Sequence, residues 1–164
     1  MYGDEQFTIV LHNEVLSALE DTYGKLEIQR GKVLEFLGLT LDYSVKGVCE
    51  FSAEVYIKKA ISSFEGEIKG KAKTPAADKL FVVREDATPL PEGKRKNFQL
   101  VFALLLWIAT MARPDILVSI SFLGKHTTKA DEDDAAKLGR VLSYLRKTTE
   151  LRLDLGADNM PVMK

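Results

Sequence analysis

The sequence predicts an α+β fold, with strands in the first third of the chain and helices in the last. Three observations carry the prediction. Val33 to Tyr43 alternates sides: Val33, Leu37, Leu39, Leu41 and Tyr43 fall on one face, and Leu34, Phe36, Gly38, Thr40 and Asp42 on the other. That period of two belongs to a strand. The apolar runs Leu100 to Ala109 and Ile116 to Leu123 are separated by Arg113-Pro114-Asp115. A proline between two charges breaks or kinks a buried helix, so the runs read as two helices meeting at a corner. Finally, Ala135, Leu138, Leu142 and Leu145 recur at helical spacing.

Taken in order, Phe7 to Leu11 reads as a short apolar strand. Asn13 reads as the cap of a helix from Glu14 to about Tyr23, with Gly24 ending it in a left-handed conformation. Lys25 to Gln29 alternates and suggests a strand. Val33 to Tyr43 is the best strand in the chain. Gly38 inside it suggests a bulge or the close approach of another backbone. Lys46-Gly47 marks a turn, and Val48 to Phe51 is the returning strand of a hairpin. Ser52 is expected to cap a helix in which Ile57, Ala60, Ile61 and Phe64 line one face.

From Glu65 to Asn97 prolines, glycines and charges make a long surface connection, anchored at Leu80-Phe81-Val82-Val83. A helix from Lys96 to Met111 follows, then one from Pro114 to Gly124 with proline in its first turn. A last helix opens at Asp131 to Asp134 and runs to about Lys147. Glu150 to Leu155 alternates as a strand would, and a frayed tail is expected from Gly156.

Composition excludes several classes of function. A formal net charge of −1 makes the chain no polycation, so any nucleic-acid contact must come from local patches. The single cysteine, Cys49, rules out an internal disulfide and fits a reducing compartment. No basic-then-apolar leader is visible, and no run approaches the roughly 20 apolar residues of a membrane span. A soluble intracellular protein, cytoplasmic or nuclear, with no membrane partner is expected.

Few residues suggest chemistry by themselves. Asp131, Glu132, Asp133 and Asp134 lack the alternating oxygen ligands of a calcium loop, and suit the first turn of a helix. His12 and His126 have no ligand-type neighbours at metal spacing. Two basic clusters, Lys69, Lys71, Lys73 and Lys94, Arg95, Lys96, border the long connection and could meet phosphates or simply face water.

The order of several short motifs says more. Phe36-Leu37-Gly38-Leu39, Tyr56-Ile57, Thr74-Pro75-Ala76, Leu105 to Ala109, Arg113-Pro114-Asp115-Ile116, and Tyr144-Leu145-Arg146 with Thr148 succeed one another. In that order the chain resembles the C-terminal half of the polymerase region of copia-type retrotransposon reverse transcriptases, over roughly Val15 to Leu155. The resemblance implies three parts. Residues 1–52 would be the end of a palm, with Val33 to Phe51 as the primer-grip hairpin. Residues 53–95 would be a helix and charged connection, and 96–164 thumb-like helices and a tail.

It further implies candidate nucleic-acid contacts at Lys32, Phe36, Leu37 and Gly38 on the hairpin, and at Lys94, Arg95 and Lys96 where the first thumb helix begins. Arg113, Pro114 and Asp115 would be a structural corner. The implied partners are an RNA–DNA primer–template duplex and the remainder of the polymerase.

Reverse transcriptases of this kind carry Tyr-x-Asp-Asp just before this region and a third Asp on an earlier strand, which together bind two magnesium ions. The nearest match here is Tyr2-Gly3-Asp4-Glu5, with Glu in the second acidic place. No catalytic residue, metal site or cofactor is therefore assigned to this chain. Ala103 and Lys147 stand where the family commonly has glycine. The expected function is that of a polymerase fragment inactive alone, or of a non-catalytic nucleic-acid-binding or protein-interaction domain derived from such an element.

Overall fold

A computed structural model describes residues 2–84 and 86–156, with side chains from His12 onward. The chain divides into two units, one ending at Gly31 and a larger one from Lys32 onward. The α+β class holds, with one antiparallel sheet and five α-helices among the described residues.

The first unit is built on helix α1, Tyr2–Tyr23. It runs through both the strand expected at Phe7 to Leu11 and the cap expected at Asn13. A lone strand leaves its N–H and C=O groups unpaired, whereas a helix satisfies its own. Once Glu14 to Tyr23 is helical, extension upstream needs no new nucleus. The helix stops where expected: Gly24 has φ +81 and donates its N–H to the Glu20 carbonyl at 2.8 Å. Lys25 to Gln29 forms no strand, since alternation without a partner builds no ladder.

The larger unit opens with strands β1 (Val33–Phe36), β2 (Leu39–Asp42) and β3 (Val48–Ser52), and β4 (Leu153–Gly156) completes the sheet in the order β1-β2-β3-β4, all antiparallel. The single strand read over Val33 to Tyr43 is thus two strands. Leu37 (φ 50) and Gly38 (φ 77) form a two-residue hairpin turn, with Phe36 paired to Leu39. Gly38 is the turn itself and not a bulge. The expected turn at Lys46-Gly47 joins β2 to β3, with Gly47 at φ 80. The alternating stretch near Glu150 to Leu155 is β4, with Glu50 opposite Asp154. The rest of the expected tail lies outside the described residues.

Helix α2, Glu54–Ser63, has Ala53 at its N-cap and no side-chain cap. Ser52 pairs with Thr40 in the sheet, which removes it from the capping position. A connection follows in which Ala72, Leu80 and Leu90 are buried. Of the expected anchor only Leu80 turns inward, while Phe81, Val82 and Val83 are exposed.

Helix α3, Glu92–Met111, starts a turn before Lys96 because Pro91 presets the N-cap and Glu92 pairs with Lys96 at 2.7 Å. A 3-10 turn, Pro114–Ile116, leads into α4, Leu117–Gly124. Helix α5, Glu132–Lys147, is capped by Asp131, whose Oδ1 accepts from the Asp134 N–H at 2.8 Å while Asp134 Oδ2 accepts from the Asp131 N–H at 3.3 Å. This reciprocal box explains two of the four acids, and the helix dipole favours all of them.

The core is centred on α3. Phe98, Val101, Leu105 and Ile108 are fully buried against Ile57 of α2, Ile116, Ile120 and Leu123 of the corner and α4, and Leu138, Leu142 and Leu145 of α5. Each large side chain so buried contributes about 1.5–3 kcal/mol. Gly139 lets the connection touch α5, since a Cβ there would sit 2.8 Å from the Glu67 carbonyl oxygen.

Candidate nucleic-acid interface

The hairpin tip presents apolar side chains to solvent: Phe36 is 56% and Leu37 59% exposed. Lys32, just before β1, is exposed too, and its carbonyl accepts the Tyr43 N–H at 2.6 Å. Beneath the tip lies the Tyr56 ring, so close that a Cβ on Gly38 would collide with it. Tyr56 in turn meets Trp107 of α3, with ring centroids 6.5 Å apart. The short motifs around Gly38 and Tyr56 are therefore one packed contact, which leads on to the first helix of the C-terminal half.

Gly38→Ala combines a left-handed backbone with a steric clash. It is expected to lose about 1–3 kcal/mol of stability in a thermal or urea melt. A neutral substitution would refute the close approach.

Along α3, Lys96, Leu100, Ala103, Leu106 and Thr110 are exposed and recur at helical spacing, leaving one long uncovered stripe. Lys94 and Lys96 are exposed and Arg95 is half-buried, all in the opening turns of α3. At 1.5 Å per residue they stand about 16–20 Å along the helix from Trp107. The hairpin residues and the basic residues are thus two separate groups joined by the α3 stripe. Ala103 lies on that stripe, and Lys147 is exposed at the end of α5.

The corner is a different kind of site. Arg113 is 2% exposed. Its Nε and Nη2 donate to Asp115 Oδ1 and Oδ2 at 2.9 and 2.8 Å, while Nη1 donates to the Thr148 carbonyl at 2.7 Å and Nη2 to Thr148 Oγ1 at 2.8 Å. The guanidinium lies over the Tyr144 ring, 5.5 Å from its centroid, and the Tyr144 hydroxyl donates to Asp115 Oδ2 at 2.7 Å. Arg-Pro-Asp and Tyr-Leu-x-x-Thr, distant in sequence, are two halves of one network.

Partial burial pushes the Asp115 carboxyl up, but the hydrogen bonds from Arg113 and Tyr144 outweigh it and hold the group below its ordinary value. Burial and the Asp115 hydrogen bond push Tyr144 up. Four of the five Arg113 N–H donors and the Tyr144 and Thr148 hydroxyls are used within this network, so the corner orders α5 against α3.

Tyr144, Thr148, Tyr56 and Trp107 are not among the candidate site residues that the sequence suggests. The order of the motifs, which include all four, is their sequence signal. Among the described residues no group of three or more His, Cys, Asp or Glu side chains could hold a metal ion. Asp4 and Glu5 lie on α1, and their side chains are outside the described residues. No described helix is long and apolar enough to cross a membrane.

The chain is similar to a Saccharomyces cerevisiae protein named "Putative transposon Ty5-1 protein", 29% identical over 149 residues. The match takes in 87% of this chain and 45% of that protein, so the chain spans less than half the length of this curated relative. This likeness suggests a transposon-derived protein. No protein-family model and no solved structure matches the chain.

Proposed function

We propose that the chain is a piece of a copia-type retrotransposon reverse transcriptase, comprising the end of the palm, the primer-grip hairpin and the thumb, and that it does not synthesise DNA alone. The single observation that carries this reading is the pairing of its motifs in space. The Arg113–Asp115–Tyr144–Thr148 network joins two of the motifs, and the Gly38–Tyr56 contact joins two more. The likeness to the yeast transposon protein supports the same ancestry. On this reading the exposed hairpin tip and the uncovered α3 stripe are the surface for an RNA–DNA primer–template duplex. An exposed apolar turn and an apolar helix edge suit a groove read by its shape.

The purified chain is expected to give no primer extension with magnesium or manganese on a primed RNA template. Templated DNA synthesis would overturn the proposal. Binding of a labelled RNA–DNA hybrid, followed by anisotropy, should fall steeply with salt and weaken in Leu37→Asp. The exposed Leu100, Leu106 and Val118 also favour a second reading, a protein-interaction face. Light scattering that finds a stable oligomer, together with no duplex binding, would select it.

A further inference from the structure

A cleft of about 790 Å³ lies between the connection and helices α3 and α5, away from the hairpin and the corner. Its volume falls in the range of small-molecule sites. Its lining includes the apolar Phe64, Ala72, Leu80 and Phe98. Around them stand cations in excess. Lys69 is paired with Glu67 at 3.1 Å and Lys137 with Asp133 at 2.8 Å. Lys71, Lys79 and Lys94 line the cleft with no ion pair among the described residues, against the carboxylates of Glu65 and Glu132.

Arg140 adds a second, independent sign. Its Nη2 donates to Thr74 Oγ1 at 3.2 Å, while its buried Nε has no hydrogen-bond partner. A buried guanidinium N–H without an acceptor is costly; the Nε itself is closed to solvent, so an anionic oxygen entering the cleft would be met by the accessible Nη groups of Arg140.

We propose that this cleft binds a phosphate-bearing ligand of nucleotide size, with its phosphates held by Lys79, Lys94 and Arg140 and its flat apolar part against the half-buried Phe64. The ligand is either a free nucleotide or one nucleotide of a single strand, because both present the same phosphate and ring. This does not rest on the polymerase reading, and it shares only Lys94 with that reading's candidate contacts, which otherwise lie on the hairpin tip and the exposed stripe of α3.

The test is nitrogen-15 NMR on the full chain, titrated with deoxyadenosine triphosphate and separately with a short oligodeoxythymidylate. Saturable shifts are expected at the Arg140 Nε–H and at the Gly139 amide, with the Leu37 amide unmoved. A Lys79→Ala/Lys94→Ala double variant should weaken binding about tenfold or more while its melting temperature stays unchanged. Tighter binding of the triphosphate identifies a free nucleotide, and tighter binding of the oligomer a strand. No saturable shift with either probe at millimolar concentration overturns the proposal, and so does binding that the double variant leaves intact. Duplex binding at the hairpin is read through Leu37, so failure of one proposal is told apart from failure of the other.

Discussion

Replacing Arg113 with alanine is expected to destabilise the unit from Lys32 onward by about 3 kcal/mol, near the low end for breaking a buried ion pair. The low end applies because the Arg113 side chain is 3% exposed but Asp115 is 36% exposed, so water can take over part of the carboxylate. The Thr148 carbonyl is half-buried and also loses a donor. A domain of this size has about 5–15 kcal/mol in all, so the melting temperature should fall by roughly 10 °C. Lysine should rescue little, since one ammonium cannot reproduce a planar fork that serves Asp115 and Thr148 together.

The pH dependence has a definite sign. The folded-state value of Asp115 is lowered, so its contribution is present above the ordinary 3.8 and is lost as pH falls through the lower folded value. That of Tyr144 is raised, so its contribution is present below 10.0 and is lost as pH rises past it. The gap between wild type and Arg113→Ala should be flat near neutrality and narrow in acid, but not in alkali, because Arg113 itself favours the Tyr144 phenolate. A deficit below about 1 kcal/mol, or one that persists unchanged in acid, would show that the network is ornamental.

Leu105→Ala should have an effect of similar size, about 3 kcal/mol, because Leu105 is wholly buried at the centre of α3 and its neighbours come from rigid helices that cannot collapse into the gap. Leu100→Ala, on the same helix but 54% exposed, should change stability by no more than about 0.5 kcal/mol. Urea unfolding measures both, with the slope expected to be common to all three proteins. A small loss at Leu105 would mean that α3 is not the centre of the core.

The helical half was legible because its signals are strong and local. A proline between charges marks the corner whatever surrounds it, and the apolar face of α5 repeats without interruption through Leu138, Leu142 and Leu145. The sheet was harder. A two-residue turn leaves the period-two alternation of Val33 to Tyr43 unbroken, so one long strand and a tight hairpin look alike. The usual Asn-Gly or Asp-Gly cue is replaced by Leu37-Gly38. At Phe7 to Leu11 a strand needed a partner that the first unit does not supply. The partners of Arg113 lie beyond any local pattern, since Tyr144 and Thr148 reach it only after α4 and α5 have folded back. The cleft was half visible, as lysines along the connection. The orphaned Nε of Arg140 could come only from packing.

The sheet has its own consequence for how the protein is made. Strands β1, β2 and β3 leave the ribosome early and in succession, while β4 arrives only after all of the helices of this unit. Until then the outer edge of β3, with Cys49 and Phe51, stays open to any neighbouring chain. Nascent chains stalled before Leu153 are therefore the species most prone to stick to one another, and release of the last strand from the exit tunnel is the step that ends the hazard.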